Sequence, residues 1–178
     1  SPMQKPDSPM QKMTQESTEC EKYRTFRDSL HAVHSVSLIF SSYYLNAPAS
    51  AFGHTLLKLN KGTETEQQTE PLELLDDGIN YAAVVDTSNP ILYAFYGLFG
   101  FFQGTFSRNP NNYKVREYND FESRDLWSYK LNLSRHEIDL LLAHLWELGH
   151  THFDYFYLSE NCSYHILSIL EAAAPRLN

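Results

Sequence analysis

Cys162 stands in Ser159-Glu160-Asn161-Cys162-Ser163-Tyr164-His165-Ile166-Leu167, where a short polar stretch turns into an apolar helical run. Asparagine is a favoured N-cap, so Asn161 predicts Cys162 in the first helical turn, where unpaired N–H groups and the positive end of the helix dipole favour a thiolate. The base such a thiol needs is His54, in Phe52-Gly53-His54-Thr55-Leu56-Leu57-Lys58-Leu59, a small-residue turn running into a strand. Together they predict attack of the Cys162 sulfur on a carbonyl, with His54 taking or sharing its proton and a thioester as intermediate. The N–H of Cys162 would help to stabilise the oxyanion, and a second donor is required that the sequence does not identify.

A histidine acting as base is oriented through its second ring nitrogen. Asn80, on a strand-like run from Ile79 to Val85, is the candidate orienter; Asp77 is the alternative, and a simple turn role for Asn80 after Gly78 stays open. His165 follows Cys162 by three residues on nearly the same helical face and ranks as an auxiliary. His150 and His152 could form a pair, but no third ligand block accompanies them, so no metal is expected. A Cys20–Cys162 disulfide is disfavoured, because the helix-opening context of Cys162 suits a reactive thiol and Cys20 adjoins a polar leader.

The positioning elements follow from periodicity and punctuation. Tyr23, Phe26 and Leu30 predict a short amphipathic helix from Glu19 to Leu30, and Val36 to Phe40 reads as a strand. Asn46 to Ser50 is turn chemistry, His54 to Asn60 a strand, and Lys61 to Thr69 a solvated loop. Tyr113 to Tyr118 and Leu126 to Leu133 are further strand candidates. Ser134 with Glu137 is a capping box opening a helix through Leu148, ended by Gly149, with Ile138, Leu141, Leu142, Leu145 and Leu148 as core stripe. Phe153 to Leu158 is a short strand or extended segment feeding the Cys162 helix, whose Ile166, Ile169 and Leu170 should face a sheet. Between Ile91 and Phe106, seven aromatic residues alternate with Gly97, Gly100 and Gly104. That stretch is either core or an apolar flap that admits an acyl chain or touches a bilayer interface, with Phe95, Phe99, Phe101 and Phe102 as contacts.

A chain of 178 residues with 42% hydrophobic and 14% aromatic content can bury one real core. Residues 1–18 contain the duplication Ser1-Pro2-Met3-Gln4-Lys5 and Ser8-Pro9-Met10-Gln11-Lys12 and are read as a disordered leader or cloning remnant, leaving 19–178 as a single domain. A net charge of -8 without a basic cluster argues against nucleic acid as a partner. No run approaches the roughly 20 apolar residues that span a bilayer, and no signal segment opens the chain; an exported protein would have lost its signal.

The order of histidine first and cysteine second matches the circularly permuted papain-like enzymes, including the NlpC and lecithin retinol acyltransferase groups, where a strand histidine precedes a helix-opening cysteine. More closely, the chain resembles the Lnb N-terminal periplasmic domain family. The resemblance rests on Ser41-Ser42-Tyr43-Tyr44-Leu45-Asn46-Ala47-Pro48-Ala49-Ser50-Ala51-Phe52-Gly53-His54, Asn80-Tyr81-Ala82-Ala83, Glu117-Tyr118-Asn119, Arg124-Asp125-Leu126-Trp127-Ser128-Tyr129 and Glu160-Asn161-Cys162-Ser163-Tyr164. It implies an α+β fold, an antiparallel sheet packed against helices in the permuted papain-like topology, with the sheet carrying His54 and Asn80. Asn161, Ser50 and Tyr43 fall in the matching blocks and are candidates for oxyanion or substrate contacts.

The resemblance further implies a periplasmic domain of the bacterial envelope, often joined to a C-terminal membrane region that this sequence does not include. The expected activity is lipoprotein N-acyl transfer through a Cys162 thioester, from phospholipid or a diacylated lipoprotein, at a membrane surface and without a cofactor. Two other classes stay open: a cysteine peptidase or amidase acting on cell-wall peptide with the same Cys162 and His54, and a catalytically silent envelope binding module. A polar cleft would favour the amidase, an aromatic groove the lipid substrate.

Overall fold

The computed structural model describes residues 20–41, 53–61, 76–87, 89–110 and 126–177. The chain falls into two compact units, Ser1–Ala32 and Val33–Asn178. In the first unit, residues 20–29 form helix α1. The second contains β1 (Val33–Ser41), β2 (His54–Lys61), β3 (Asp77–Val84), α2 (Pro90–Phe99), β4 (Phe102–Pro110), β5 (Leu126–Leu131), α3 (Arg135–Leu148), β6 (His152–Tyr155) and α4 (Cys162–Ala173), then a short 3-10 turn, Pro175–Leu177. The architecture is α+β, with the six strands in one antiparallel sheet in the order β5-β1-β2-β3-β4-β6.

The sheet is amphipathic by its period of two. Val36, Leu57, Leu59, Ile79, Tyr81 and Phe106 are buried, and by register they share one face. Helices α3 and α4 pack on each other, and α4 lies across β2 and β3 at the centre of the sheet. From α3 come Ile138, Leu141, Leu142 and Leu145, from α4 Ile166, Ile169, Leu170 and Ala173, each set recurring at helical spacing and buried. The opposite face mixes polar with apolar residues and is buried in places: Leu56 is buried there, and Asn60 Nδ2 donates to Ser35 Oγ at 3.1 Å and to Ser37 Oγ at 3.0 Å.

Helix α3 starts as its capping box predicts. Ser134 Oγ accepts from Glu137 N, and Glu137 Oε2 accepts from Ser134 N at 2.6 Å. Arg176 then clamps Glu137 at 2.7 Å and donates to the Asn132 carbonyl, while Arg135 donates to the Val33 carbonyl at 2.7 Å, tying the helix start to β1.

The aromatic stretch from Ile91 to Phe106, read as core or as an apolar flap, is a helix, an αL turn at Gly100 and then a strand. Phe102, expected as an acyl-chain or membrane contact, is 2% exposed because it starts β4 on the helix-covered face. The segment feeding α4 is strand only as far as Tyr155, since Phe156 turns to donate its N–H to the Glu160 carbonyl at 3.3 Å. The strand expected at Tyr113 to Tyr118 lies outside the described residues, as does the loop from Gly62 to Thr69.

Candidate functional site

The site forms where the sheet splits. The β1–β2 ladder continues to Ser41 and His54, and the β3–β4 ladder to Val84 and Gln103, but the β2–β3 ladder stops at Leu56 and Asn80. His54 and Thr55 therefore line a cleft between β2 and β3 instead of pairing across it. Gly53 leads into this position with φ 81, in the left-handed region, and a Cβ there would meet the Ser41 carbonyl at 2.8 Å and the Phe40 ring at 3.0 Å. The glycine before His54 is thus required both by backbone conformation and by space.

Register places Asn80 opposite Leu56, so Asn80 and His54 share a face. Their side chains meet: His54 Nε2 is 2.5 Å from Asn80 Oδ1. With the amide oxygen as acceptor, Nε2 carries the proton and Nδ1 keeps its lone pair. Asp77, the alternative orienter, is elsewhere. It pairs with Leu59 in the register and is held by Arg108 Nη2 at 2.7 Å and Lys61 Nζ at 2.8 Å.

Cys162 occupies the first position of α4, with Asn161 as N-cap. Asn161 Oδ1 accepts from Ser163 N at 3.1 Å and Tyr164 N at 3.3 Å, and its Nδ2 donates to the Tyr157 carbonyl at 3.1 Å. Asn161 is thus the N-cap that its sequence context predicts. Thr55 Oγ1 and Ser163 Oγ are 2.7 Å apart, which fixes the helix start against β2. The Cys162 side chain is buried. Burial pushes its thiol up, but hydrogen bonding to His54, the charge of that imidazole, the Thr55 backbone and the Ser163 hydroxyl together bring it below the ordinary thiol value.

Sequence reasoning missed three groups here. Thr55 contributes a backbone contact to sulfur, which only the split in the sheet makes available. Ser163 was visible beside Cys162 but had no stated role. Tyr155, the last residue of β6, is buried with its hydroxyl at the Cys162 backbone N–H; burial and the neighbouring thiolate raise its pKa. Its ring stacks on Tyr81 at 5.8 Å. No spacing in the sequence could have paired residues from these two elements.

His165 lies one turn along α4, boxed by Tyr81 at 4.1 Å and Phe153 at 5.2 Å between ring centroids. Burial holds its pKa below the usual histidine value, against an opposing pull from Glu160. It belongs to the aromatic core rather than to the cleft. His150 Nδ1 donates to the Trp146 carbonyl at 2.8 Å, and among the described residues no group of three or more His, Cys, Asp and Glu side chains is placed to hold a metal. Cys20 and Cys162 are both free thiols, Cys20 exposed. Ser50 and Tyr43 lie outside the described residues. Phe95, Phe99 and Phe101 are exposed on and just after α2.

The arrangement brings together a thiol of lowered pKa, an imidazole whose Nδ1 lone pair is left free by Asn80, and a helix start, groups of the kind that thiol chemistry on a carbonyl would use. The family model of the Lnb N-terminal periplasmic domain matches residues 22–178. No curated protein matches the chain, and no solved structure does.

Proposed function

Since the chain belongs to the Lnb N-terminal periplasmic domain family and is thus a periplasmic domain of the bacterial envelope, we propose that it is a thiol-dependent acyltransferase of circularly permuted papain-like type, acting in lipoprotein N-acylation. The observation that carries this reading is the convergence of Cys162, at the first position of α4, with the His54–Asn80 pair at the split between β2 and β3.

His54 Nδ1 takes the thiol proton, and the sulfur attacks an ester carbonyl of a phospholipid or a diacylated lipoprotein. The tetrahedral oxyanion is met by the Cys162 N–H. Tyr155 is the second donor: its hydroxyl oxygen accepts that N–H in the resting site and keeps its own proton for the oxyanion. Collapse expels the alcohol, which recovers its proton from His54, and leaves an acyl thioester. The amino group of a lipoprotein's N-terminal cysteine then attacks the thioester, His54 receives the amine proton, and the amide departs as the thiol is reformed. Asn80 keeps the imidazole in the tautomer that both half-reactions require.

The test is intact-mass analysis of wild type, Cys162→Ser and His54→Ala after incubation with phospholipid and, separately, with a diacylated lipopeptide. A fatty-acyl adduct, labile to hydroxylamine and absent from Cys162→Ser, is expected. Absence of an adduct together with cleavage of a cell-wall peptide would replace the reading with an amidase. Neither product, with a thiol inert to alkylation at neutral pH, would leave a binding module.

A further inference from the structure

Helix α2 presents two unlike faces. Tyr93, Tyr96 and Gly97 turn inward: Tyr93 and Tyr96 meet Phe102 at 5.6 and 5.7 Å between ring centroids. Gly97 lies so close to Tyr157 that a Cβ there would sit 2.0 Å from its ring. Tyr157 N donates to the Gly97 carbonyl at 2.9 Å, and the Tyr157 carbonyl accepts from Asn161, the cap of the Cys162 helix. The inner face of α2 is therefore clamped to the loop that delivers Cys162.

The outer face has no covering element among the described residues. Ile91 (79% exposed), Leu92, Phe95, Leu98 and Phe99 (59%) fall at helical spacing on one side, and Phe101 (63%) stacks on Phe95 at 5.9 Å, extending the patch past the helix end. Leu158, 70% exposed, adds an apolar residue on the clamped loop. No Asp, Glu, Lys or Arg occurs from Thr87 to Ser107. A protein interface of ordinary kind brings about one hydrogen bond per 100–200 Å² and favours arginine. This face offers only hydrocarbon side chains, which a lipid layer matches without asking for polar partners.

We propose that the outer face of α2, continued by Phe101, docks on a lipid bilayer by inserting its aliphatic and aromatic side chains into an electrically neutral interface. Charge complementarity points to zwitterionic headgroups. The patch carries no cation to attract an anionic surface, and the chain as a whole has a net charge of -8, which an anionic surface repels. Docking there holds the loop before Cys162 at the lipid surface, and it does not depend on the thiol chemistry proposed above, so Cys162→Ser should bind equally well.

The experiment is co-sedimentation of the full chain with phosphatidylcholine vesicles at low and high salt, beside vesicles containing phosphatidylglycerol. Binding to the zwitterionic vesicles that salt does not weaken is expected. The double substitution Phe95→Glu and Phe99→Glu should lower it by roughly tenfold or more, with far-ultraviolet circular dichroism and the alkylation rate of Cys162 unchanged. In a Phe99→Trp variant, brominated lipid should quench the new indole. Binding to no vesicle, binding only to anionic vesicles and lost in salt, or an unquenched Trp would each overturn the proposal. Concentration-dependent dimerisation abolished by Phe99→Glu would overturn it too, by assigning the face to a second copy of the chain.

Discussion

Replacing Asn161 by alanine tests how the site is aimed. The substitution removes the acceptor for Ser163 N and Tyr164 N and the donor to the Tyr157 carbonyl. Loss of an N-cap costs about 1 kcal/mol, and loss of the loop tether about another 1 kcal/mol. In a domain of this size the sum of about 2 kcal/mol lowers the melting temperature by roughly 4–8 °C. Asn161→Asp keeps both acceptors and loses only the donor, so it should lose about half as much. It also sets a carboxylate beside the nucleophile, which disfavours the thiolate. Scanning calorimetry and iodoacetamide kinetics, both in a Cys20→Ser background because Cys20 is an exposed free thiol, separate the two effects. The alanine variant should melt early; the aspartate variant should melt nearer wild type but alkylate more slowly at neutral pH. An alanine variant melting within about 1 °C of wild type, or an aspartate variant that alkylates faster, would refute the assignment of Asn161 as the cap that aims the thiol.

Three further outcomes are expected. His54→Ala removes the hydrogen bond and charge that offset burial of the Cys162 thiol, so its pKa should rise and the pH profile of its alkylation move upward; an unmoved profile would separate His54 from the sulfur. Asn80→Leu leaves Nε2 without its acceptor and should reduce acyl-adduct formation by about a hundredfold, whereas Asp77→Asn, at the far end of the β2–β3 ladder, should leave the adduct intact while lowering thermal stability. Glu137 is held at about 2, against an ordinary 4.5, by Arg176 first and then by Ser134. A depressed carboxyl stabilises the fold above the unfolded value and loses that contribution as pH falls toward 2. The melting temperature of wild type should therefore drop between about pH 4.5 and 2 more steeply than that of Glu137→Gln, and parallel curves would contradict the clamp.

Much of the local structure was legible because its determinants are local. Ser134 and Glu137 announce a capping box, Asn161 announces a helix start, and the apolar period after each names the buried stripe. For the same reason Cys162 could be placed in a first helical turn, and Gly53 in a turn before His54, from neighbours alone. The aromatic stretch around residue 99 left its form open, because both a helix and a strand can be written with Phe, Tyr and Gly. The change from α2 to β4 depends on an αL turn at Gly100 and on which side chains Tyr157 and Tyr81 leave room for. Burial of Phe102 followed from that change.

By itself the sequence determined the chemistry on offer: a thiol at a helix start, a histidine at a strand start, and polar candidates to orient it. Tertiary structure decided which of these meet. Register chose Asn80 over Asp77, because one stands opposite Leu56 on the face of His54 and the other is held at the far end by Arg108 and Lys61. The early end of the β2–β3 ladder opened the place where sulfur, imidazole and the Thr55 backbone come together, and the turn after β6 returned the Cys162 N–H to Tyr155. These are contacts between residues far apart in the chain, and they exist only because burial of the sheet and helix faces fixes one register and one packing of α4 on β2 and β3.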